Sequence, residues 1–503
     1  MARDDMKRSA LALVAAGLGL VALVAVVASS GGKARTIQVG QNRFVNPPGL
    51  IDGNNSPSVA RNPTRPANVV VSHRVDVPRF SAAIHWSNNS GTTWAPTALP
   101  LPPGRDRPFG PDLAFGPDGT LYVTYVNLEG TGNRPQSLWL SSSTDGGRTL
   151  SPPVEVAGRL SFQAKVAVDQ QGTVFVTWLA VKDVAPLAIV DGDNPVVVAR
   201  STDGGRTFSA PVRASDPARR RVGAASPTID GEGNLVLLYE DFKGDRLDFE
   251  NLDGPVFDEP FTLVVTRSSD HGQSFDAGVE VDTDVLPLSR FLIFLPEFPS
   301  MAAGPGDDLY VSWADGRNGD NDVFLRRSGD GGRTWGPVRR VNDNPRGDAT
   351  SQYMPRVDVS PDGRVDVLYL DRRQDPSNVM TNAYLATSDD DGESFESFVV
   401  SSQSFDSRVG FSANPRLEPD FGSRLGLAST DDQALAVWTD TRFGTEDTGR
   451  QDVASARIDF SGGSDGSGSL PLVFVALFAG VVLLGVTLVI SGRAPAGPRG
   501  KVS

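Results

Sequence analysis

The sequence predicts an all-β protein, a seven-bladed β-propeller, and three observations support this. An acidic, glycine-rich octet recurs six times along the chain. Its starting serines lie 56 to 67 residues apart, a period that suits one four-stranded blade. Seven apolar runs, most of which end in an aromatic residue, alternate with the octets and read as strands. A six-bladed ring is the alternative.

Each octet has the composition of a tight turn between two strands. In Ser328–Trp335 the aspartate can bond its own backbone, the glycines accept positive φ, and Trp335 supplies an apolar anchor. We assign a structural role to the turn aspartates, which are Asp145, Asp203, Asp270, Asp330 and Asp390. The first octet, Ser87–Trp94, matches the others less well and has Asn89 in place of the turn aspartate.

The apolar runs predict the second strand, strand B, of each blade. The six clearest are Leu121–Tyr125, Val174–Trp178, Leu235–Tyr239, Leu309–Trp313, Val365–Tyr369 and Leu435–Trp438. A weaker run, Asn68–His73, belongs to the first blade. The last unit, Arg424–Phe460, has no fourth strand of its own. We expect Thr36–Phe44 to fill that place and to close the ring, which would leave no exposed sheet edge.

The octets resemble those of the Asp-box (BNR, bacterial neuraminidase repeat) proteins, whose motif is Ser-x-Asp-x-Gly-x-Thr-Trp. The resemblance covers residues 57–460 and implies a sialidase-like β-propeller. Sialidases have six blades, so a count of seven is a departure. Asp boxes occur as structural turns in sialidases and in non-enzymes alike, so the resemblance predicts the fold better than the activity.

Composition excludes several kinds of site and partner. The formal charge of −14 gives no reason to expect nucleic-acid binding. The chain has no cysteine, which excludes disulfides and thiol chemistry, and three histidines make a multi-histidine metal site unfavourable. Two acidic loops, 191–194 and 319–322, could bind Ca²⁺ weakly, but neither has the twelve-residue Ca²⁺-loop pattern. We therefore predict no cofactor and no metal site.

Both ends of the chain carry long apolar segments, which we expect to be helices. Residues 1–33 form a secretory signal peptide or an uncleaved signal anchor. After the propeller, residues 34–460, come a Gly/Ser linker at 461–469, a transmembrane helix at 470–491 and a short basic tail at 492–503. The expected location is the cell membrane, with an extracellular propeller and a cytoplasmic C-terminus. The protein then has one membrane-spanning segment, or two if the first segment is retained.

The two rims of the predicted ring differ in their loops. The Asp boxes and the short A–B hairpins share one rim, whereas the long B–C and D–A loops share the other. Long loops on a rigid scaffold are where binding or catalysis is usually placed. We therefore expect function at the long-loop rim. The apolar loop 285–296 on this rim has no assigned role.

A repeated pattern places a cation just after strand B. The pattern is an aromatic residue, then an aspartate two positions on, then an arginine two positions further on. The arginines are Arg317, Arg373 and Arg442, and in two other blades a lysine, Lys243 or Lys182, stands at the position of the arginine. One interpretation is an anion-binding mouth for a carboxylate, as in the arginine triad of sialidases. The other is a repeated Asp–Arg pair that ties each B–C loop to its neighbour, and the repetition favours it.

The sialidase resemblance also implies a tyrosine nucleophile activated by a glutamate. The best placed candidates are Tyr353, in the loop before strand A of blade 6, and Glu240, at the end of a B strand. The Phe/Tyr-Arg-Ile-Pro signature of sialidases is absent before the first Asp box, and Tyr353 suits an aromatic contact between blades equally well. The sequence therefore predicts a glycan- or protein-recognition module, with a sialidase-type glycoside hydrolase as the alternative.

Overall fold

The computed structural model of the protein describes residues 24–27, 35–47, 49, 52–77, 79–130, 134–181, 193–244, 259–286, 299–410 and 421–462. All regular secondary structure in these ranges is β-strand. No helix within them is long and apolar enough to cross a bilayer. The predicted linker, transmembrane helix and basic tail lie outside the described residues, apart from Ser461 and Gly462.

The strands form seven antiparallel sheets, which confirms the seven-bladed propeller over the six-bladed alternative. In blades 1 to 6 the strands pair in chain order, A with B, B with C and C with D. The A strands of successive blades contact one another, and the strand A of blade 7 contacts that of blade 1. The A strands therefore surround the central axis, and the D strands lie outermost.

The strand bounds follow the predicted repeat. Strands A to D are Asn54–Arg61, Val69–Val75, Ser81–Ser87 and Ala95–Thr97 in blade 1; Pro108–Phe115, Leu121–Glu129, Arg134–Ser143 and Val154–Ala157 in blade 2; and Ser161–Val168, Val174–Ala180, Val196–Ser201 and Val212–Arg213 in blade 3. They are Val222–Ile229, Leu235–Asp241, Phe261–Ser268 and Val279–Val285 in blade 4; Ser300–Ala303, Leu309–Asp315, Asp322–Ser328 and Arg339–Arg340 in blade 5; and Gln352–Val359, Val365–Asp371, Met380–Ser388 and Glu396–Val399 in blade 6. A short strand, Phe405–Asp406, also pairs with strand C of blade 6.

Blade 7 combines both ends of the described chain. Its strands A to C are Gly426–Ser429, Gln433–Asp440 and Asp452–Ser461. Arg35–Val39 pairs with strand C, with Thr36 opposite Ser461 and Val39 opposite Ile458. Arg43–Phe44 pairs with the same strand nearer its start. Of the predicted signal segment only Val24–Val27 is described, as a strand paired with Arg35–Val39 and not as helix.

The apolar core lies between the blades. Every residue of strand B in blade 4, Leu235–Asp241, is buried, because a neighbouring sheet covers each face. Leu237 packs with blade 3 residues such as Phe175, whereas Leu238 packs with blade 5 residues such as Trp313. Each blade thus depends on both neighbours for its burial, which explains why the B strands read as continuous apolar runs.

The acidic octets form the C–D turns. In blade 5 the carboxylate of Asp330 accepts hydrogen bonds from the Thr334 backbone at 2.9 Å, the Thr334 hydroxyl at 2.6 Å and the Ser328 hydroxyl at 2.7 Å. Asn89 in blade 1 makes the same kind of turn, since its side-chain oxygen accepts from the Thr93 backbone and its amide donates to the Thr93 hydroxyl.

Candidate functional site

The aspartates of the repeated Trp/Tyr-x-Asp-x-Arg pattern close the end of strand B. Asp315 and Asp440 are fully buried and accept a hydrogen bond from the indole of Trp313 and Trp438, respectively, at 2.8 and 3.0 Å. Each carboxylate also accepts the backbone N–H two residues on, which forms an Asx turn. The aspartate of the pattern therefore fixes the turn that ends strand B.

The arginines of the pattern reach from their own blade to the preceding one. Arg317 pairs with Asp315 and with Asp282 in strand D of blade 4. Burial alone would lower the pKa of Arg317, but these two carboxylates outweigh it and raise the pKa. Arg373 likewise pairs with Asp371 and with Asp343, which follows strand D of blade 5.

Arg442 completes the series at the boundary between blades 6 and 7. Its guanidinium contacts Asp440 at 2.6 Å, the hydroxyl of Ser402 at 2.9 Å and the side chain of Asn42 at 3.1 Å. The structure thus places the three arginines at three successive blade boundaries, each held by carboxylate or polar groups. None of the three lines the pocket described below.

Of the two predicted lysines only Lys243 is described, and its contacts differ from those of the arginines. Lys243 is exposed and its amine lies 3.5 Å from the Thr283 carbonyl, while Arg219 takes the ion pair with Asp241 at 2.7 Å. Lys182 lies outside the described residues.

The predicted catalytic pair is not adjacent in the ring. Tyr353 lies within strand A of blade 6, not in the loop before it, and Glu240 is buried in strand B of blade 4. Blade 5 separates the two. The Tyr353 hydroxyl hydrogen-bonds Thr381 and Ser407, at 2.9 and 2.8 Å, and its ring packs against the core between blades 6 and 7.

A feature that we did not predict is a bulge near the start of several A strands. Ser56, Gly110, Gln163 and Met354 have φ values of 52 to 57°, and the pairing with strand B shifts at each of them. Bulges of this kind bend a strand and re-aim side chains, and they are frequent beside active sites. The first residues that pair again after the bulge are Ser58, Asp112, Lys165 and Arg356.

These four residues hold equivalent positions in their A strands, and neighbours around the ring touch. Ser58 donates a hydrogen bond to Asp112 at 2.8 Å, and the Lys165 amine lies 3.6 Å from the same carboxylate. Because A strands surround the axis, the bulges place one carboxylate and two cations in a polar layer about it.

An open pocket lies beside this layer, at the long-loop rim. We call it the axial pocket. It is lined by Ser56, Arg74, Phe109, Gly110, Val126, Leu128, Pro135, Phe162, Gln163, Ala164, Ser423 and Arg424. The lining comes from the starts of the A strands in blades 1 to 3, the ends of the B strands in blades 1 and 2, the start of strand C in blade 2, and the residues before strand A of blade 7. Most of the lining is apolar, and Arg74 and Arg424 supply its cationic groups.

Arg424 connects blade 7 to the bulges of blades 1 and 2. Its guanidinium donates to the Ser56 carbonyl at 3.2 Å and to the Pro111 carbonyl at 2.5 Å. Burial lowers the pKa of Arg424, and the nearby cations Arg356 and Arg74 lower it further, while Asp112 opposes them. Burial is the main cause of the lowered pKa, and an anionic ligand beside these cations would stabilise the charged form of Arg424.

The other cations of the pocket differ in their partners. Arg74 is buried, pairs with Asp76 at 2.7 Å and stacks over the Phe109 ring at 5.5 Å. Arg356 makes no hydrogen bond or ion pair within the described part of the chain, but it acts electrostatically on Arg424 and Lys165. The axial pocket can therefore hold an anionic group against an apolar wall.

The described residues contain no group of three or more His, Asp or Glu side chains placed to hold a metal. In the acidic loop 319–322, Asp322 pairs with Arg340 at 2.7 Å and accepts from Asn342 at 2.6 Å. Residues 191 and 192 of the other acidic loop lie outside the described residues.

Comparison with known proteins gives only distant structural likeness. No protein-family model matches the chain, and no curated protein matches it.

A Dyadobacter fermentans protein of unknown function is 14% identical, with a TM-score of 0.45, over 84% of this chain and 99% of its own. A Hadza microbial sialidase is 16% identical, with a TM-score of 0.42, over 77% and 75%. The phage phi92 endosialidase is 12% identical, with a TM-score of 0.48, over 86% and 71%. Likeness at this level carries no argument about activity.

Proposed function

We propose that this protein is an extracellular recognition module, anchored in the cell membrane, that binds a glycan or a protein through an anionic group in the axial pocket. The observation that carries the proposal is the pocket itself. It opens at the rim opposite the Asp-box turns, and Arg424, Arg74 and Arg356 lie in or beside it. Phe109 and Phe162 offer apolar surface to a sugar ring or an aliphatic side chain.

The choice of a glycan as the first ligand to test follows from the mixed character of this lining. Arginine binds carboxylate and sulfate groups through charge-assisted hydrogen bonds, while aromatic walls pack against the apolar faces of sugars. An acidic protein segment would use the same cations.

The experiment is a binding measurement on the full-length chain, with acidic glycans and their neutral counterparts on one array. We expect binding to glycans with carboxylate or sulfate groups, weakened by salt because the attraction is electrostatic. Arg424→Gln should lower the affinity at least about tenfold, the loss of roughly one charge-assisted contact. Arg333→Gln, on the Asp-box rim with an exposed side chain, is the matched control. Equal binding by wild type and Arg424→Gln would contradict the proposal.

Hydrolysis of sialosides, the alternative function, is not favoured by any contact among the described residues. It requires a nucleophile beside its activating base, and Tyr353 and Glu240 lie two blades apart. A fluorogenic sialoside assay on the same preparation tests this directly. Turnover that Arg424→Gln abolishes would support the hydrolase in place of the binding module.

The membrane part of the proposal rests on the sequence. Residues 470–490 are apolar over a length that spans a bilayer, and Arg493, Arg499 and Lys501 follow them. With residues 1–33 replaced by a cleavable signal peptide, a chain that ends at residue 503 should sediment with membranes and resist alkaline extraction. A chain that ends at residue 462 in the same background should not, and equal behaviour of the two would contradict the C-terminal anchor.

A further inference from the structure

Lys165 is a buried amine beside the axial pocket. It is 8% exposed and follows Gln163 and Ala164, both of which line the pocket. Its amine lies 3.6 Å from the Asp112 carboxylate. The backbone N–H of the next residue, Val166, holds the second Asp112 oxygen at 3.2 Å. Lysine and carboxylate are thus fixed side by side, each next in sequence to residues that line the pocket or hydrogen-bond its lining.

The electrostatic setting of Lys165 favours its neutral form. Burial lowers its pKa to about 7, with a further contribution from Arg424 and a smaller one from Arg356, against the opposing effect of Asp112. A lysine with an ordinary pKa near 10.4 is almost wholly protonated at neutral pH and is a poor nucleophile. A desolvated lysine next to other cations is the usual form of a Schiff-base lysine.

We propose that Lys165 forms a Schiff base with a 2-oxo carboxylate, the class of compound in which a carboxylate adjoins a ketone. The geometry supplies one partner for each group of such a ligand. Arg424 lines the pocket and is hydrogen-bonded to Pro111, the residue before Asp112, so its guanidinium lies near the same end as the amine. The carboxylate would bind Arg424 and Arg356, which brings the adjacent carbonyl carbon to Lys165.

The chemistry needs no reagent other than the ligand. The neutral amine of Lys165 attacks the carbonyl carbon, and a C–N bond forms as the carbonyl π bond breaks. Asp112 carries one proton from the nitrogen to the alkoxide oxygen, which gives the carbinolamine, and then carries the second nitrogen proton to the resulting hydroxyl. The C–O bond then breaks, water leaves, and a C=N bond links Lys165 to the ligand. No electrons are gained or lost in the overall step.

The test is trapping of pyruvate, the smallest ketone of this class, on the full-length chain with sodium cyanoborohydride, followed by peptide mass mapping. The chain has six lysines, so each site can be assigned. We expect the reduced adduct on Lys165, formed faster as the pH rises from 6 to 8. It should be absent in Lys165→Arg, which keeps the charge but cannot form the imine. Lys165→Met is a second variant in case the arginine disturbs packing, and unfolding midpoints verify that both fold.

Two further measurements separate this inference from its alternatives. Hydroxyacetone, a neutral ketone, should react at least tenfold more slowly than pyruvate, and Arg424→Gln should remove that difference. An absent adduct, or labelling spread equally over the exposed Lys243, would overturn the inference. So would equal rates for the two ketones. The inference uses the pocket of the proposed function but not its glycan, so pyruvate trapping and glycan binding can fail independently.

Discussion

Arg317, at the end of strand B in blade 5, places a guanidinium nitrogen 2.9 Å from Asp282 in strand D of blade 4. The same guanidinium is held by Asp315, which is fully buried. One arginine therefore fixes its own B–C corner and fastens it to the preceding blade. Arg373 and Arg442 repeat the arrangement at the next two boundaries. A ring has one central ligand site, whereas these contacts recur at successive blade boundaries. Repetition of this kind is expected of residues with an architectural role.

Arg317→Gln should lower the free energy of unfolding by about 2 kcal/mol. The change leaves Asp315 without its cation and leaves Asp282 with only the more distant Arg326, at 3.8 Å. Breaking a buried pair costs more than the pair contributes. Arg79→Gln is the control, because its ion pair with Asp106 is exposed on both sides and should contribute at most about 0.5 kcal/mol. Chemical denaturation followed by tryptophan fluorescence measures both. A loss no larger than that of the control would rule out the architectural role.

The Asp-box turn offers a paired prediction at Asp330. Asp330→Ala removes all its turn hydrogen bonds and should cost about 2 kcal/mol, whereas Asp330→Asn should cost less than about 1 kcal/mol. The reason is that Asn89 already makes an equivalent turn in blade 1 with an amide side chain. Equal losses in the two variants would show that charge, and not hydrogen-bond geometry, stabilises the turn.

The same aspartate predicts a pH effect. Burial alone would raise the pKa of Asp330, but hydrogen bonds from Thr334 and Ser328 outweigh it and lower the pKa to about 2. A carboxyl with a lower pKa in the folded state stabilises fully above its unfolded pKa near 3.8, and loses that contribution as the pH falls to about 2. Relative to wild type, Asp330→Asn should therefore become more stable across this window. Unfolding curves at pH 4, 3 and 2 would measure the difference, and a constant difference would contradict the assignment.

The fold and the candidate site differ in how far sequence could predict them. The octets and the B strands are local patterns, and turn chemistry and burial between two sheets fix them. Arg424 belongs to no repeated pattern, and its partners Ser56 and Pro111 lie 368 and 313 residues away along the chain. Only ring closure brings them together. The bulges themselves have one local sequence signal, which is a proline directly after the bulged residue. It occurs in Ser56-Pro57, Gly110-Pro111 and Met354-Pro355, and a proline near the start of a strand marks a bulge or a sheet edge.

Two buried histidines at the boundary of blades 1 and 7 should make the stability of the fold sensitive to acid. The rings of His73 and His85 stack 5.3 Å apart, and burial lowers their pKa values to about 3 and 4. The unfolded chain binds these protons near pH 6.5, so stability is complete above that pH and falls below it. The slope is about 1.4 kcal/mol per pH unit for each histidine. His85→Phe should reduce the slope between pH 6 and 4 by one proton, whereas His271→Asn controls for loss of an exposed histidine. An unchanged slope in His85→Phe would contradict this account.

The pairing of Arg35–Val39 with strand C of blade 7 leads to the last prediction. We infer that it closes the ring, because Arg35–Val39 takes the place of strand D and Ile37 enters the core shared by blades 6 and 7. Ile37 is 2% exposed, whereas Gln38 on the same strand is exposed. Ile37→Ala should destabilise the propeller by about 2–4 kcal/mol through the cavity it leaves, and Gln38→Ala by less than about 0.5 kcal/mol. If the N-terminal strand closes the ring, proteolysis of Ile37→Ala should begin at this strand and then proceed into blade 7. Equal stability of the two variants would mean that the ring is held shut without its N-terminal strand.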